Sequence, residues 1–341
     1  MNEIARRKYD HLKICSDENI ESGSAGFENI QLVHKALPEV NFSEIDTSFR
    51  FLNKKLNFPL IIEAITGGTE KAEKINREIA QVAQEYGIGF GVGSERALIE
   101  DESTINTYYV RDIAPDIPII GNIGAVQLNY GYTLEECLKA VDLINADALA
   151  FHLNPLQEVI QPEGNTNFSN ITEKINEISS AFRKRKILVI AKEVGSGISY
   201  DVARGLDVDV IDTAGSGGTS WSLVESIRAD KNSFGRAFSQ WGIPTVKSLN
   251  EISKLKQERI KEGRALGIIA SGGVRCGMDA AKCIALGADC TGIALPALSA
   301  YMKGGKFGLE NFIENFIKEF KIAMFLTGSK KLEELRGKIQ G

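Results

Sequence analysis

Eight short apolar runs recur along this chain, each closing in a polar or glycine-rich turn. They are Pro59–Thr66, Gly87–Gly93, Pro118–Gly124, Ala148–Asn154, Ile187–Val194, Val208–Gly215, Gly267–Gly273 and Cys290–Pro296. The runs are continuous rather than alternating, the pattern of parallel strands covered on both faces. The spacing leaves room for one crossover helix after each. Eight such units predict an α/β fold, a (β/α)8 TIM barrel with N-terminal and C-terminal extensions, whose chemistry gathers at the C-terminal ends of its strands. That rule brings Thr66, Ser94, Asn122, His152, Lys192, Thr219, Gly273 and Ala294 to one mouth.

The segments between the runs fit that frame. Lys71–Tyr86 puts Ile75, Ile79, Val82, Ala83 and Tyr86 on one helical stripe, and Leu134–Ile144 does the same with Leu134, Cys137, Leu138 and Val141. Residues 1–58 form an N-terminal arm containing a predicted hairpin, Thr47–Leu52 and Lys55–Pro59 around Asn53-Lys54, that closes the barrel floor. Residues 59–341 carry the barrel and two C-terminal helices, Phe307–Phe325 and Lys330–Lys338, in one domain overall. In the longest gap, Leu249 to about Glu262 patterns as a helix. Its first half, Ser216–Ile243, has no period and reads as an irregular lid or subunit contact.

Composition narrows the function. A chain of 341 residues can bury a full core. A formal charge of −5 and a pI near 5.5 argue against a general nucleic-acid or membrane binder. No stretch approaches the roughly 18 to 20 apolar residues that span a bilayer. The N-terminal MNEIARRKYDHL lacks the hydrophobic core of a secretory signal. Five cysteines, odd in number and without CxxC spacing, read as reduced thiols, with no zinc site, in a cytoplasmic protein.

Five groups of residues could carry chemistry. Ser271-Gly272-Gly273-Val274-Arg275 ends the seventh run and Ala294-Leu295 the eighth. In barrels those turns build phosphate cups from backbone N–H groups and a helix N-terminus, and Arg275 can add charge. Lys192 sits near the end of a buried strand, where it needs an anionic partner or a lowered pKa. The negative edge of a reduced flavin, a Schiff base, and a structural pair with Glu63 or Glu193 all answer that need. His152, Asn154, Gln157 and Glu158 crowd the end of the fourth run, and a carboxylate such as Glu158 beside a diphosphate suits Mg²⁺. Finally Arg7 and His11, at i, i+4 on a helix with Lys8 alongside, could converge on one anion, as could Ser94 and Arg96.

Together these residues resemble the type 2 isopentenyl-diphosphate isomerases, FMN-dependent (β/α)8 barrels. The match runs in order through the N-terminal RKxxH pattern (Arg7, Lys8, His11), ITGG around Thr66–Gly68, GSxR (Ser94–Arg96), GNIGAVQL (Gly121–Leu128) and HLNPLQExxQPEG (His152–Gly164). It continues through KEVG at Lys192, GGTSW (Gly217–Trp221), WGIPT (Trp241–Thr245) and SGGVR (Ser271–Arg275). HLNPLQExxQPEG combined with RKxxH is the specific part. Ile65 departs from the family's methionine before TGG, a change confined to packing beneath the flavin.

The resemblance implies FMN contacts from Thr66, Gly67, Gly68, Ser94, Asn122, Lys192, Thr219, Gly272, Gly273, Arg275, Ala294 and Leu295. It implies substrate contacts from Arg7, Lys8, His11, Ser94, Arg96, His152, Asn154 and Gln157, with Mg²⁺ held through Glu158. The implied reaction interconverts isopentenyl and dimethylallyl diphosphate in isoprenoid biosynthesis, with reduced FMN as the main acid/base, Gln157 and His152 assisting, and NAD(P)H as reductant. It further implies a homo-oligomer, tetramer or octamer, in which the arm closes over a neighbouring subunit's substrate. Three competing readings are weaker. A 2-hydroxyacid oxidase would need a His-Gly pair, and none occurs; an inosine monophosphate dehydrogenase would need a cysteine in Ser216–Ser222. A non-catalytic flavin-binding barrel would have no use for Glu158, Gln157 and the Arg7-Lys8 patch.

Overall fold

A computed structural model describes residues 3–229 and 233–340. Its centre is a closed barrel of eight parallel strands: β3 (Leu60–Ile62), β4 (Gly89–Gly91), β5 (Ile119–Gly124), β6 (Ala148–Leu153), β7 (Leu188–Glu193), β8 (Val210–Asp212), β9 (Gly267–Ala270) and β10 (Cys290–Ile293). Each pairs with its sequence neighbour, and β10 closes on β3. All eight apolar runs thus contain a strand, trimmed where the residues past the last ladder bond turn into the mouth. The predicted barrel is the observed one.

Side chains alternate in and out along these strands. Ile61, Ile120, Ala148, Ala150, Ile190, Val210, Ile269 and Cys290 fill the lower barrel interior and meet Phe51, Leu52 and Leu56 of the arm. Those arm residues belong to the hairpin β1 (Phe49–Phe51) and β2 (Lys54–Leu56), which plugs the floor. The turn falls on Leu52-Asn53 and not on Asn53-Lys54, since Phe51 pairs with Lys54. Both turn residues have positive φ, 47° and 63°, as a two-residue hairpin turn of the primed type demands. Leucine is a poor residue for that backbone. It is held there by burial, being only 4% exposed against the barrel base, and burying such a side chain contributes on the order of 1.5–3 kcal/mol.

The barrel base is further tied by a repeated device. Asp147, Asp209 and Asp289 each precede a strand, and each accepts a backbone N–H from the strand before: Ile119 at 2.9 Å, Val189 at 2.8 Å and Ile268 at 2.9 Å. Arg111 and Lys256 in turn neutralise Asp147 and Asp289 at 2.6 Å. Chemistry is left to the opposite end.

Three expectations about the surrounding helices need correction. Ser216–Ile243 is not wholly irregular: it holds helices Trp221–Arg228 and Ser233–Ala237, with residues 230–232 of that segment outside the described ones. The C-terminal helix runs from Leu295 to Thr327 with a break at Gly305, where φ is 59°. The last helix is confined to Leu332–Leu335; Gly337, at φ 75°, ends it. The arm begins with a helix, Glu3–Asp17, whose Ile14 packs with Ile20 and Val224 and against Trp221 and Leu295. This lays the helix across the mouth of the barrel.

Candidate active site

One cavity opens at the C-terminal ends of the strands, roofed by the N-terminal helix. Arg7, Lys8, His11, Ser94, Arg96, Asn122, His152, Asn154, Gln157, Glu158, Lys192, Thr219, Gly272, Gly273, Arg275, Ala294 and Leu295 all line it. Thr66, Gly67 and Gly68 do not; just past β3 the lining residues are Glu63, Ala64 and Ile65. The TGG turn is used behind the wall. The Thr66 carbonyl accepts from Asn76 at 3.1 Å, the Gly68 N–H donates to Thr107 Oγ1 at 2.8 Å, and the Tyr108 ring fills the space a side chain at Gly67 would need.

Lys192 is the charged floor of the cavity. Its ammonium pairs with Glu63 at 3.0 Å and, more closely, with Asp212. Burial opposes that charge, but Asp212 and then Glu63 outweigh it, and the net effect raises the lysine's pKa. A lysine held so firmly as an ammonium is a poor Schiff-base nucleophile. Glu193, the other partner considered, turns away instead and accepts the N–H groups of Ser196 and Gly197. Asp212 also accepts the Ser271 hydroxyl at 2.5 Å, which joins the end of β8 to the turn after β9.

The fourth-strand cluster sits beside it. In register His152 lies between Gly124 and Lys192. Its Nδ1 meets Asn122 Oδ1 at 2.6 Å; a carbonyl oxygen only accepts, so Nδ1 carries the proton and Nε2 is left as an acceptor. Burial, then the charges of Lys8, Lys192 and Arg7, push the imidazole down to about 3, so His152 is neutral at physiological pH. Asn122 is itself fixed by Glu95, which accepts its backbone N–H at 2.7 Å. Asn154 Nδ2 donates to Gln157 Oε1 at 3.1 Å and to Glu158 Oε1 at 3.0 Å, while Glu158 Oε2 accepts the N–H of Asn165 at 2.6 Å. No basic side chain pairs with Glu158 among the described residues.

The basic patch on the arm comes to the same cavity, over this chain's own barrel. Lys8 Nζ donates to the Ser94 carbonyl at 3.2 Å. Burial and the nearby Arg7 charge lower its pKa to about 7, against a smaller pull from Glu95. Arg7 lies 4.0 Å from Glu163, and Gln161, with its amide turned so that its oxygen faces Arg7 at 3.0 Å, bridges to Glu225. Arg96 donates to Glu100 at 2.8 Å and reaches Asn165 at 3.4 Å.

Glu225, like Asp212, is a site residue that the sequence reading missed. It is fully buried and collects His11 at 2.9 Å, Gln157 at 3.0 Å and Arg228 at 2.7 Å. Burial alone would raise its pKa, yet the hydrogen bond and charge of His11, followed by Gln157 and Arg228, hold it at about 2. It therefore latches the arm to the cluster after β6. Trp221, Val224 and Ile227, three apart in sequence, were the available signal of the helix that carries it.

Across the mouth, Gly272 and Gly273 adopt left-handed backbone, φ 93° and 72°. A side chain at Gly273 would collide with the Gly217 carbonyl at 2.6 Å, so only glycine permits this turn. Beside it the helix Leu295–Thr327 begins with Pro296 in its first turn, offering unbonded N–H groups to an anion. Arg275 lies next to this cup, paired with Glu21. The arrangement can hold a phosphate at one end, a planar anionic group over Lys192, and a second phosphorylated ligand beneath the arm.

A family model described as FMN-dependent dehydrogenase matches residues 166–340. The isopentenyl-diphosphate delta-isomerase of Pyrococcus abyssi is 45% identical over 344 residues, covering 97% of this chain and 90% of that protein. The protein of the same name from Rickettsia bellii is 46% identical, covering 97% of this chain and 96% of its own length. Among solved structures, a sulfite-bound variant of flavocytochrome b2 matches with a TM-score of 0.65 at 19% identity, covering 98% of this chain and 82% of that one. A mandelate oxidase variant with a monooxide FMN adduct gives 0.63 at 16% identity, covering 99% of each. At such identities the structural matches speak for the barrel alone.

Proposed function

Because the chain belongs to the isopentenyl-diphosphate delta-isomerase family, we propose that it interconverts isopentenyl and dimethylallyl diphosphate in isoprenoid biosynthesis, using reduced FMN, Mg²⁺ and NAD(P)H as reductant. The observation that carries this reading is one cavity joining the anion cup at Gly272-Gly273, the Lys192 ammonium, the His152–Glu158 cluster and the Arg7-Lys8 roof.

The residues present fit FMN. The left-handed Gly272-Gly273 turn and the start of the Leu295 helix suit its phosphate, with Arg275 alongside. Lys192 suits the ring edge that becomes negative on reduction, and Ser94, Asn122 and Thr219 line the space between. They also fit Mg²⁺ of the kind that relies on substrate oxygens and one or two carboxylates. Glu158 retains lone pairs beyond its two N–H partners, and among the described residues no cluster of three or more His, Cys, Asp or Glu forms a cage that would hold the ion without substrate.

Isomerisation adds a proton to the terminal alkene carbon and removes one from the carbon next to the oxygenated end. Bound and reduced, FMN supplies a proton at N5 and an electron-rich face, chemistry beyond the acidity of ordinary side chains. The chain's own residues position the reaction. Arg7, Lys8, His11, Ser94 and Arg96 bind the diphosphate, and an anion beside Lys8 raises its pKa and keeps it charged. Leu12, Ile65, Trp221 and Leu298 wall the C5 skeleton. Neutral His152 offers Nε2 as an acceptor, with Asn154 holding Gln157 and Glu158 in place. Gln157, fixed by its hydrogen bond to Glu225, orients the alkene or relays a proton.

A homo-oligomer, tetramer or octamer, and a cytoplasmic location belong to the same reading; no helix of the described residues is long and apolar enough to cross a membrane. The test is direct: incubate the protein with isopentenyl diphosphate, FMN, Mg²⁺ and a reductant, and look for the dimethylallyl isomer. Protein that binds flavin and forms no isomer refutes the proposal.

A further inference from the structure

The two carboxylates that share the Lys192 ammonium are not equivalent. Asp212 accepts three donors: Lys192, the Ser271 hydroxyl at 2.5 Å and the Ala214 N–H at 3.3 Å. Among the described residues Glu63 accepts from Lys192, through Oε2 at 3.0 Å, otherwise meets the like-charged Asp212 carboxyl, and has its Oε1 buried without a partner. An ionised carboxylate with one bare oxygen in a dry site costs far more than one met by three donors. Glu63 is therefore the member of the trio that gains or loses a proton. The ionisable groups facing it are Lys192 on β7, Asp212 on β8 and Cys290 on β10, whose thiol burial keeps protonated. Burial raises the Glu63 carboxyl to about 7, with Lys192 pulling down and Asp212 pushing up.

Counting charge, Lys192 and Asp212 cancel, so the trio is neutral or singly negative according to Glu63. A ring in this cavity that becomes anionic on two-electron reduction would face that negative charge at close range. We propose that Glu63 takes up one proton from solvent when the flavin beside it is reduced, keeping the charge of the cavity constant. The step balances. A hydride from a nicotinamide donor brings two electrons and one proton to the ring, the donor leaves oxidised, and the additional proton goes to the Glu63 carboxylate. This rests on the FMN reading above.

Reduction potentials of the flavin-loaded protein, titrated against redox dyes from about pH 6 to about pH 9, test it. Each proton per two electrons changes the equilibrium tenfold per pH unit, about 30 mV. Below about pH 7 Glu63 is already protonated and one proton per electron pair is expected. Above it the wild-type slope should double, to about 60 mV per pH unit. Glu63→Gln should keep the shallow slope throughout. A wild-type slope that stays shallow, or a steep slope that persists in Glu63→Gln, overturns the assignment, and the wild-type curve alone decides if the variant does not fold. Wild-type protein that takes up no flavin overturns the FMN reading and the assignment with it, an outcome visible in the absorbance spectrum before any titration.

Discussion

Replacing Glu225 with Gln removes one charge from a fully buried position where His11, Gln157 and Arg228 converge. The magnitude follows from its pKa, which falls from about 4.3 in an unfolded chain to about 2 in the folded one. That difference corresponds to on the order of 3 kcal/mol of stability at neutral pH. Removing one partner of a buried charged network costs about 3–5 kcal/mol by mutational precedent, in agreement. With an unfolding entropy of about 2.1 cal/mol/K per residue over 341 residues, the melting temperature should drop by roughly 4 °C. The pH dependence is the sharper check. The native carboxylate's pKa is depressed, so its contribution is present above about pH 4.3 and drains away as pH falls toward about 2. Thermal melts of wild type and Glu225→Gln should differ at pH 7 and converge in acid. The variant also loosens the arm, so KM should rise roughly tenfold or more, the equivalent of one charge-assisted hydrogen bond. Equal melting temperatures at pH 7, or a gap that does not close in acid, would refute the network as described.

Arg7→Ala and Lys8→Ala should each raise KM about ten- to a hundredfold, the loss of a charge-assisted contact of about 1.5–3 kcal/mol, and leave the flavin spectrum unchanged; steady-state kinetics checks both. Glu158→Gln should abolish the response to Mg²⁺ while flavin stays bound, because an amide is a far poorer Mg²⁺ ligand; a Mg²⁺ titration of activity beside a flavin spectrum decides it. Glu95, raised to about 8 mainly by burial, keeps its proton where the unfolded chain has lost it. Its contribution is complete below about pH 4.3 and is lost as pH rises through about 8, by up to about 1.4 kcal/mol per pH unit. Glu95→Gln should flatten that decline, which runs between about pH 4.3 and about pH 8, in denaturant titrations.

Much of the fold was legible because burial on both faces writes continuous apolar runs, and a strand of three residues needs little more. The mouth was legible for the same reason: a barrel puts strand ends together whatever their sequence separation. What escaped depended on contacts between distant segments. Leu52 occupies a left-handed turn that its residue type disfavours, because the barrel base buries it. Asp212 stood in plain view in its run, but only the β7–β8 register sets it opposite Lys192. Glu225 rides an eight-residue helix too short to show a firm period, and its partners come from the arm and from the turn after β6. Gly67 also makes room for the Tyr108 ring, a demand of packing between distant segments that the spacing of the TGG motif does not show.

The central claim, isomerisation without net oxidation, is tested most directly by counting. With isopentenyl diphosphate in large excess and a limiting measured amount of NADH under anaerobic conditions, dimethylallyl diphosphate and NAD⁺ are quantified together. The account predicts many product molecules for each NADH consumed. One product per NADH, or product that accumulates only as NADH is spent, would contradict it and make this barrel an oxidoreductase.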